Sequence, residues 1–330
     1  MLRIHFTPED IGRVRVAAAP DPMWETVFSV IRLRRPGPAP IFGRWRRHAA
    51  GACRRADLDM LLPLIPGPYF PDFLTPADGG RGVPAGMEAL LSTPVSRLRQ
   101  DMTELVRLGR TTAPWMRSLA EGDPPTLLRL ATAMRSQYET AVAPFWADAR
   151  AHIEADRARR ARVLLEQGCE GLLESFRPML RWQPPVLEVS MQVERTLHLD
   201  GRGLLLVPSY LSWATPDVLR DPALPPVLVY PVERDPEVVA GQRRTGGPSM
   251  AALIGQTRTS VLESIGEGST TSELARRVGV SAASISQHTA VLREARLIHT
   301  SRAGKAVLHT ITPLGAALLD DGPGPPPADR

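Results

Sequence analysis

Apolar positions along the chain change their period, and the changes divide it. Residues 2–6 alternate apolar and polar, the period-two signature of a short half-buried strand. Asp21-Pro22 then opens an apolar-periodic stretch over 23–31, with aspartate as N-cap and proline in the first helical turn. Residues 36–84 are rich in proline and glycine and carry the run Arg44-Trp45-Arg46-Arg47-His48, which reads as a solvated loop or helix face. From 86 to 176 the spacing is helical: Leu98, Met102, Leu105 and Leu108 recur at intervals of three and four. Thr93-Pro94 and Asp123-Pro124 read as two further cap and first-turn pairs. Residues 145–167 read as one long charged helix with Ile153, Val163 and Leu164 among its apolar positions and Gly168 at its end.

Near Leu180 the period shifts towards two. Residues 187–189, 196–199, 204–208 and 226–230 read as strands, and Asp200-Gly201-Arg202-Gly203 between the second and third predicts a β-hairpin. Periodicity is lost over 235–248, where Gly241-Gln242-Arg243-Arg244-Thr245-Gly246-Gly247 makes 241–248 the expected linker. The tail 321–330 has the composition of a disordered segment.

Between linker and tail the signals are dense. Thr270-Thr271-Ser272-Glu273 is a capping box, in which a threonine hydroxyl meets the N3 amide and Glu273 reaches back to the N-cap amide. A helix over 272–278 follows, ended by Gly279, and Ser281 caps a second helix over 282–295. Its inward stripe is Ile285, His288 or Thr289, and Leu292. Ala275, Gly279 and Ile285 stand four, eight and fourteen residues after Thr271. A small residue where two helices cross, a glycine at the turn and a β-branched residue locking the second helix define a helix-turn-helix. Residues 297–302 and 305–311 then alternate as strands around an Arg302-to-Lys305 turn, and Thr312-Pro313 begins a last helix.

The run from Thr271 to Ser281, with Ser286-Gln287-His288 and the stretch from Val291 to Ile298, resembles the ArsR/SmtB-type winged-helix repressors. The Arg302-to-Lys305 turn and the Thr312-Pro313-Leu314-Gly315 ending share the resemblance, which spans about 249–319. More loosely, residues 2–6 and 200–208 resemble the long N-terminal region of actinobacterial regulators of this type. The resemblance implies a transcriptional repressor acting as a homodimer on a palindromic double-stranded DNA operator. Helix 282–295 would enter the major groove and present Ala282, Ala283, Ser284, Ser286, Gln287 and Ala290, with Ser281 at its start. Gln287 can pair bidentately with adenine. Thr271 and nearby amides would meet phosphate, Arg293 and Arg296 would add charge at the backbone, and Arg302 and Lys305 would sit at the tip of wing 297–311. Many relatives sense metal through a Cys-x-Cys pair in the first helix. Here that helix reads Glu273-Leu274-Ala275-Arg276-Arg277, so no metal and no cofactor are expected. Ala290 and Thr289 depart from a longer polar residue and a leucine common in relatives. The expected fold class is α+β, mainly α: a mixed α/β domain over 1–240 for sensing or dimerisation, then a winged helix-turn-helix over 249–320.

Composition adjusts this reading. The 330-residue chain carries a formal net charge of +5, but Lys305 is its only lysine and arginine supplies the rest. With 33 prolines, that signals a coding bias, so overall basicity carries little weight. Placement carries more: over 250–319 seven basic residues outnumber four acidic ones. The two cysteines are far apart, apolar runs stop short of a membrane span, and the N-terminus lacks the shape of a signal peptide, so a cytoplasmic protein without a disulfide framework is expected. Gly-rich phosphate loop, nucleophile elbow and H-E-x-x-H are all missing, which argues against an enzyme. His152, Glu154 and Asp156, flanked by arginines, read as a solvated helix face. The tryptophans all precede the linker, where they serve either core packing or the walls of a small-molecule effector pocket. The alternative is a protein-interaction or dimerisation module whose winged helix does not touch DNA.

Overall fold

The computed structural model of the chain describes residues 1–35, 37–67, 69–108, 113–191, 194–233, 251, 253–266, 268–303 and 306–319. The fold is α+β and mainly α. Contacts divide the chain into two compact units, Met1–Asp235 and Pro236–Arg330. The expected linker 241–248, the tail 321–330 and Lys305 lie outside the described residues.

The first unit is built on α2 (Pro22–Arg34), whose residues 22–30 are all buried. A helix buried on every side belongs inside a core, and the cap and hydroxyls of this one are satisfied locally. Asp21 caps it by accepting from the Met23 and Trp24 amides at 2.9 and 3.4 Å. The Thr26 hydroxyl donates to the Pro22 carbonyl and that of Ser29 to the Thr26 carbonyl. Around it pack α3 (Ala39–Ala52), α4 (Arg55–Leu64), α5 (Val83–Leu91) and α8 (Pro124–Gln137). The Pro/Gly-rich stretch 36–84 therefore holds two helices; the basic residues from Arg44 to His48 are exposed while Trp45 is buried, its indole donating to the Ala141 carbonyl at 2.6 Å.

Two four-stranded sheets complete the unit. In the first, β1 (Leu2–His5) lies between β4 (Val186–Val189), antiparallel, and β5 (Arg195–His198), parallel, so that Ile4 faces Leu187 and Leu197; β3 (Leu180–Gln183) pairs antiparallel with β4. In the second, β6 (Leu205–Ser209) lies between β2 (Arg15–Val16) and β8 (Val227–Pro231), both parallel to it, and β7 (Asp217–Val218) closes the edge antiparallel to β8. The expected hairpin is absent: β5 and β6 belong to different sheets. Asp200, Gly201 and Gly203 do take positive φ, but they form a corner carrying the chain from one sheet to the other. The buried Asp10 carboxylate fixes that corner, accepting from the Gly203 amide at 2.8 Å while it also caps the short helix Pro8–Ile11 (α1). Burial pushes Asp10 up, but the amides of Thr7, Gly203 and Gly201 and the Thr7 hydroxyl outweigh it, and its pKa falls below the ordinary carboxylate value.

Further expectations need correction. Thr93 does not cap α6 (Val95–Arg107); its hydroxyl donates back to the Ala89 carbonyl. Leu98, Met102 and Leu105 are buried in that helix as expected, but Leu108 is exposed. The long helix α9 (Trp146–Glu174) does break at Gly168, with φ of 70°. Its supposedly solvated face is partly core: Asp156 and Arg160 are buried. Asp156 accepts from the Tyr230 hydroxyl at 2.8 Å, and Arg160 donates to the Ser175 carbonyl and lies 4.0 Å over the Phe176 ring. These contacts tie α9 to β8. Among the tryptophans, Trp24, Trp45 and Trp182 are buried, whereas Trp213 lines a cavity of about 330 Å³. No described helix is long and apolar enough to cross a membrane.

The second unit contains α10 (Gln256–Ser264), the short strand β9 (Ser269–Thr270), α11 (Thr271–Val278), α12 (Ala282–Glu294), the strands β10 (Ile298–Ala303) and β11 (Ala306–Ile311), and α13 (Pro313–Leu319). Val261, Leu262, Ile265, Leu274, Ile285, Leu292, Leu297 and Ile298 form its core.

Candidate nucleic-acid interface

Local chemistry sets the start and stop of each helix in the second unit. Thr270 is the N-cap of α11: its hydroxyl accepts from the Glu273 amide at 3.3 Å, and Glu273 accepts from the Thr270 amide at 2.8 Å. The Thr270 amide and hydroxyl hold the Glu273 carboxyl below its ordinary pKa. The helix therefore begins one residue earlier than expected. Gly279 ends it in the left-handed conformation, φ 74° and ψ 31°, with its amide on the Ala275 carbonyl. Ser281 caps α12 by accepting from the Ser284 amide at 3.2 Å. Arg296, at φ 59°, takes the left-handed position after α12, where the Leu297 amide reaches back to the Leu292 carbonyl.

Burial resolves which side of α12 faces inward. Ile285, Thr289 and Leu292 are buried and His288 is only half-buried, so Thr289 occupies the inward position. Its hydroxyl donates to the Ile285 carbonyl, which satisfies a polar group on the buried side of the helix. Ala282, Ala283, Ser286, Gln287 and Ala290 are exposed, with Ser284 half-buried at their margin. The result is one continuous face of small residues with a single long amide at its centre. Small side chains let a helix approach a groove closely, and the amide supplies both a donor and an acceptor. The Ser286 hydroxyl donates within the helix to the Ala282 carbonyl at 2.9 Å, so towards a ligand it presents its acceptor lone pairs.

Strands β10 and β11 pair from Ile298↔Ile311 to Ala303↔Ala306, with β10 reaching one residue further towards the tip than expected and β11 starting one residue later, and β9 joins them through Leu308↔Thr270. That third strand was missed because two residues inside a capping box carry no alternation. Arg302 is exposed on β10. Arg276, Arg293, Arg296 and Arg302 are exposed, and among the described residues none of them pairs with a carboxylate. Arg277 instead donates to the Ser264 carbonyl and the Ser269 hydroxyl, both at 2.9 Å, and so serves the fold.

In the sequence His309 reads as a strand residue of the wing, and its partners give it a further role. It is buried on β11, with Nε2 3.0 Å from the Thr271 hydroxyl and Nδ1 3.0 Å from the Thr300 hydroxyl. Burial first, and Arg293 second, push its pKa below the ordinary histidine value. The ring is neutral at neutral pH and bolts the start of α11 to the wing. The Thr271 hydroxyl is thus engaged with His309, and beside it the first-turn amides of α11 have no partner inside the helix.

Residues 256–300 match the family model described as bacterial regulatory protein, arsR family. The second unit carries an ArsR-type helix-turn-helix. The match covers α10 to the start of β10 and none of the first unit. Comparison with curated proteins and with solved structures finds no match. The ArsR-type motif lacks cysteine: Cys53 and Cys169 both lie in the first unit. Among the described residues no group of three or more His, Cys, Asp or Glu is placed to hold a metal ion.

Proposed function

We propose that the chain is a sequence-specific DNA-binding transcriptional regulator, a repressor that acts as a homodimer on a palindromic operator. Helix α12 reads the major groove through Gln287, flanked by Ala283, Ser284, Ser286 and Ala290. Arg293, Arg296 and the first-turn amides of α11 hold the phosphate backbone, and the wing with Arg302 and Lys305 lies against the backbone or minor groove. The first unit contributes sensing or dimerisation. The observation that carries the reading is the exposed face of α12, small-residued around Gln287 and bordered by unpaired arginines, on a helix-turn-helix that matches a regulatory family.

Selection of binding sites from random duplex DNA with the full chain is expected to enrich a palindrome, with affinity falling steeply with salt. Gln287→Ala is expected to relax preference at one base pair in each half-site, at about 1–3 kcal/mol. No enriched sequence, or enrichment unchanged by Gln287→Ala together with Arg302→Gln, overturns the reading in favour of a protein-interaction module.

Arg296→Gly separates charge from fold. The left-handed φ suits glycine, so relief of about 1 kcal/mol of strain offsets the similar entropic cost of glycine. The melting temperature is expected to stay nearly unchanged while the salt dependence of DNA binding loses about one phosphate contact per subunit. A drop in melting temperature without a change in salt slope would assign Arg296 to the fold alone.

A further inference from the structure

Arginine and lysine make up 40 of the 330 residues, yet none lies between Arg277 and Arg293. That interval covers all of α12 except its last two residues. Bidentate pairing with guanine O6 and N7 takes the long cationic donors of arginine or lysine. The outward face of α12 therefore carries no such reader of a G·C pair. Arg293 does not supply one. Six residues after Gln287, it stands about 120° round the helix from it, on the side where it lowers the His309 pKa. Arg296 lies past the end of the helix, in the left-handed position.

In place of cations the face offers one amide between apolar groups. Ala283, Gln287 and Val291 are spaced by four residues and all three are exposed. They form a single row along the helix, each about 40° round from the next and about 6 Å further along the axis. Val291 is 42% exposed and stands outside the core of the second unit, to which α12 gives Ile285 and Leu292. A lone exposed valine is ordinary on most surfaces. This one stands one turn beyond the only long hydrogen-bonding side chain of the face, with the exposed methyl of Ala290 beside it. Two nearby hydroxyls are turned into the helix, Ser286 on the Ala282 carbonyl and Thr289 on the Ile285 carbonyl.

Of the four bases, only thymine presents a methyl group to the major groove, and apolar side chains read it by contact. Base pairs rise by about 3.4 Å, so the 6 Å step from Gln287 to Val291 spans one or two of them. We propose that Val291 determines specificity by packing on the C5-methyl of a thymine one or two base pairs from the adenine that Gln287 reads. Each half-site is then selected for A·T pairs twice, by an amide and by a methyl contact. The inference rests on the DNA-binding reading above and names what its reading helix selects.

The test offers the full chain two random duplex pools, one containing thymidine and one containing deoxyuridine, which pairs identically and lacks only the methyl group. The thymidine pool is expected to enrich a palindrome with a thymine preference at one position per half-site that the deoxyuridine pool does not show. On the enriched site, deoxyuridine at that position is expected to weaken binding about fourfold per half-site, the worth of one buried methyl group. Val291→Ser, shown to be folded by circular dichroism, is expected to bind both duplexes equally, at the level of the unsubstituted protein on the deoxyuridine duplex. A merely structural valine would weaken both duplexes by the same factor and keep the difference between them. That result, indifference of the unsubstituted protein to deoxyuridine, or enrichment of G·C pairs beside the base pair that Gln287→Ala relaxes, overturns the proposal. A palindrome enriched equally from both pools overturns it alone, whereas no enrichment from either pool overturns the DNA-binding reading as well.

Discussion

Gly203→Ala is expected to unfold the first unit near physiological temperature. Gly203 lies at φ 73° in the corner between the two sheets, and an added Cβ would stand 2.5 Å from both the Cβ and the carbonyl oxygen of Arg13. The carbonyl is backbone and cannot swing aside. If the corner retreats, the Gly203 amide leaves Asp10, and a buried carboxylate loses a donor. Left-handed strain costs about 1 kcal/mol, overpacking about 1–3 and the lost charged hydrogen bond about 1.5–3. Their sum, on the order of 5 kcal/mol, rivals the whole stability of an ordinary domain, about 5–15 kcal/mol. Gly201→Ala is the control. It has a similar φ of 81°, but its nearest neighbour is the mobile end of the Arg13 side chain at 3.7 Å. That variant is expected to lose only about 1 kcal/mol. Thermal denaturation by circular dichroism compares the two, and equal losses would remove Arg13 from the explanation.

The two units are expected to answer pH in opposite directions. In the first, burial raises Asp21, Asp101 and Asp217 to about 7, with Glu25 adding to the shift at Asp21 and Asp72 to that at Asp101. Their unfolded pKa is near 3.8. Between about pH 4 and 7 the folded unit therefore holds protons that the unfolded chain releases. Stability falls as pH rises through that window, by up to about 1.4 kcal/mol per pH unit for each group, and levels off above it. Asp10 and Glu104, whose pKa values are lowered, oppose this only in stronger acid. In the second unit His309 has a lowered pKa, so the stability it contributes is present above about 6.5 and is lost as pH falls. Scanning calorimetry of the full chain at pH 5 and pH 8 is expected to show the larger unit melting several degrees lower at pH 8. Asp21→Asn keeps an acceptor for the Met23 and Trp24 amides and is expected to flatten that dependence. A transition of the first unit that rises between pH 5 and pH 8 would refute the assignment.

Much of the second unit was legible because its signals are local. A threonine three residues before a glutamate, a glycine eight residues after Thr271 and a serine at the next cap each act within one helical turn. Burial along α12 follows from the same period, and it decided only between His288 and Thr289. His309 was not legible as a bolt, since its partners Thr271 and Thr300 stand 38 and 9 residues away. In the first unit, Asp21 and Asp123 announced their helices correctly because an N-cap aspartate reaches only its own first turn. Thr93 looked the same and turned its hydroxyl backwards to Ala89.

By itself, then, the sequence determined the caps at Asp21, Asp123 and Ser281, the strand segments that alternate clearly, the helix-turn-helix and the absence of a cysteine pair from it. These depend on backbone conformations and side-chain reach over a few residues. Only the tertiary structure decided that the strands flanking Asp200 to Gly203 join different sheets, that Asp156 and Arg160 are core, and that Trp213 borders a cavity lined by three arginines. A glycine-rich turn states where a chain bends, whereas the strand it meets next is chosen by residues such as Asp10, 193 positions from Gly203 in sequence and 2.8 Å from it in space.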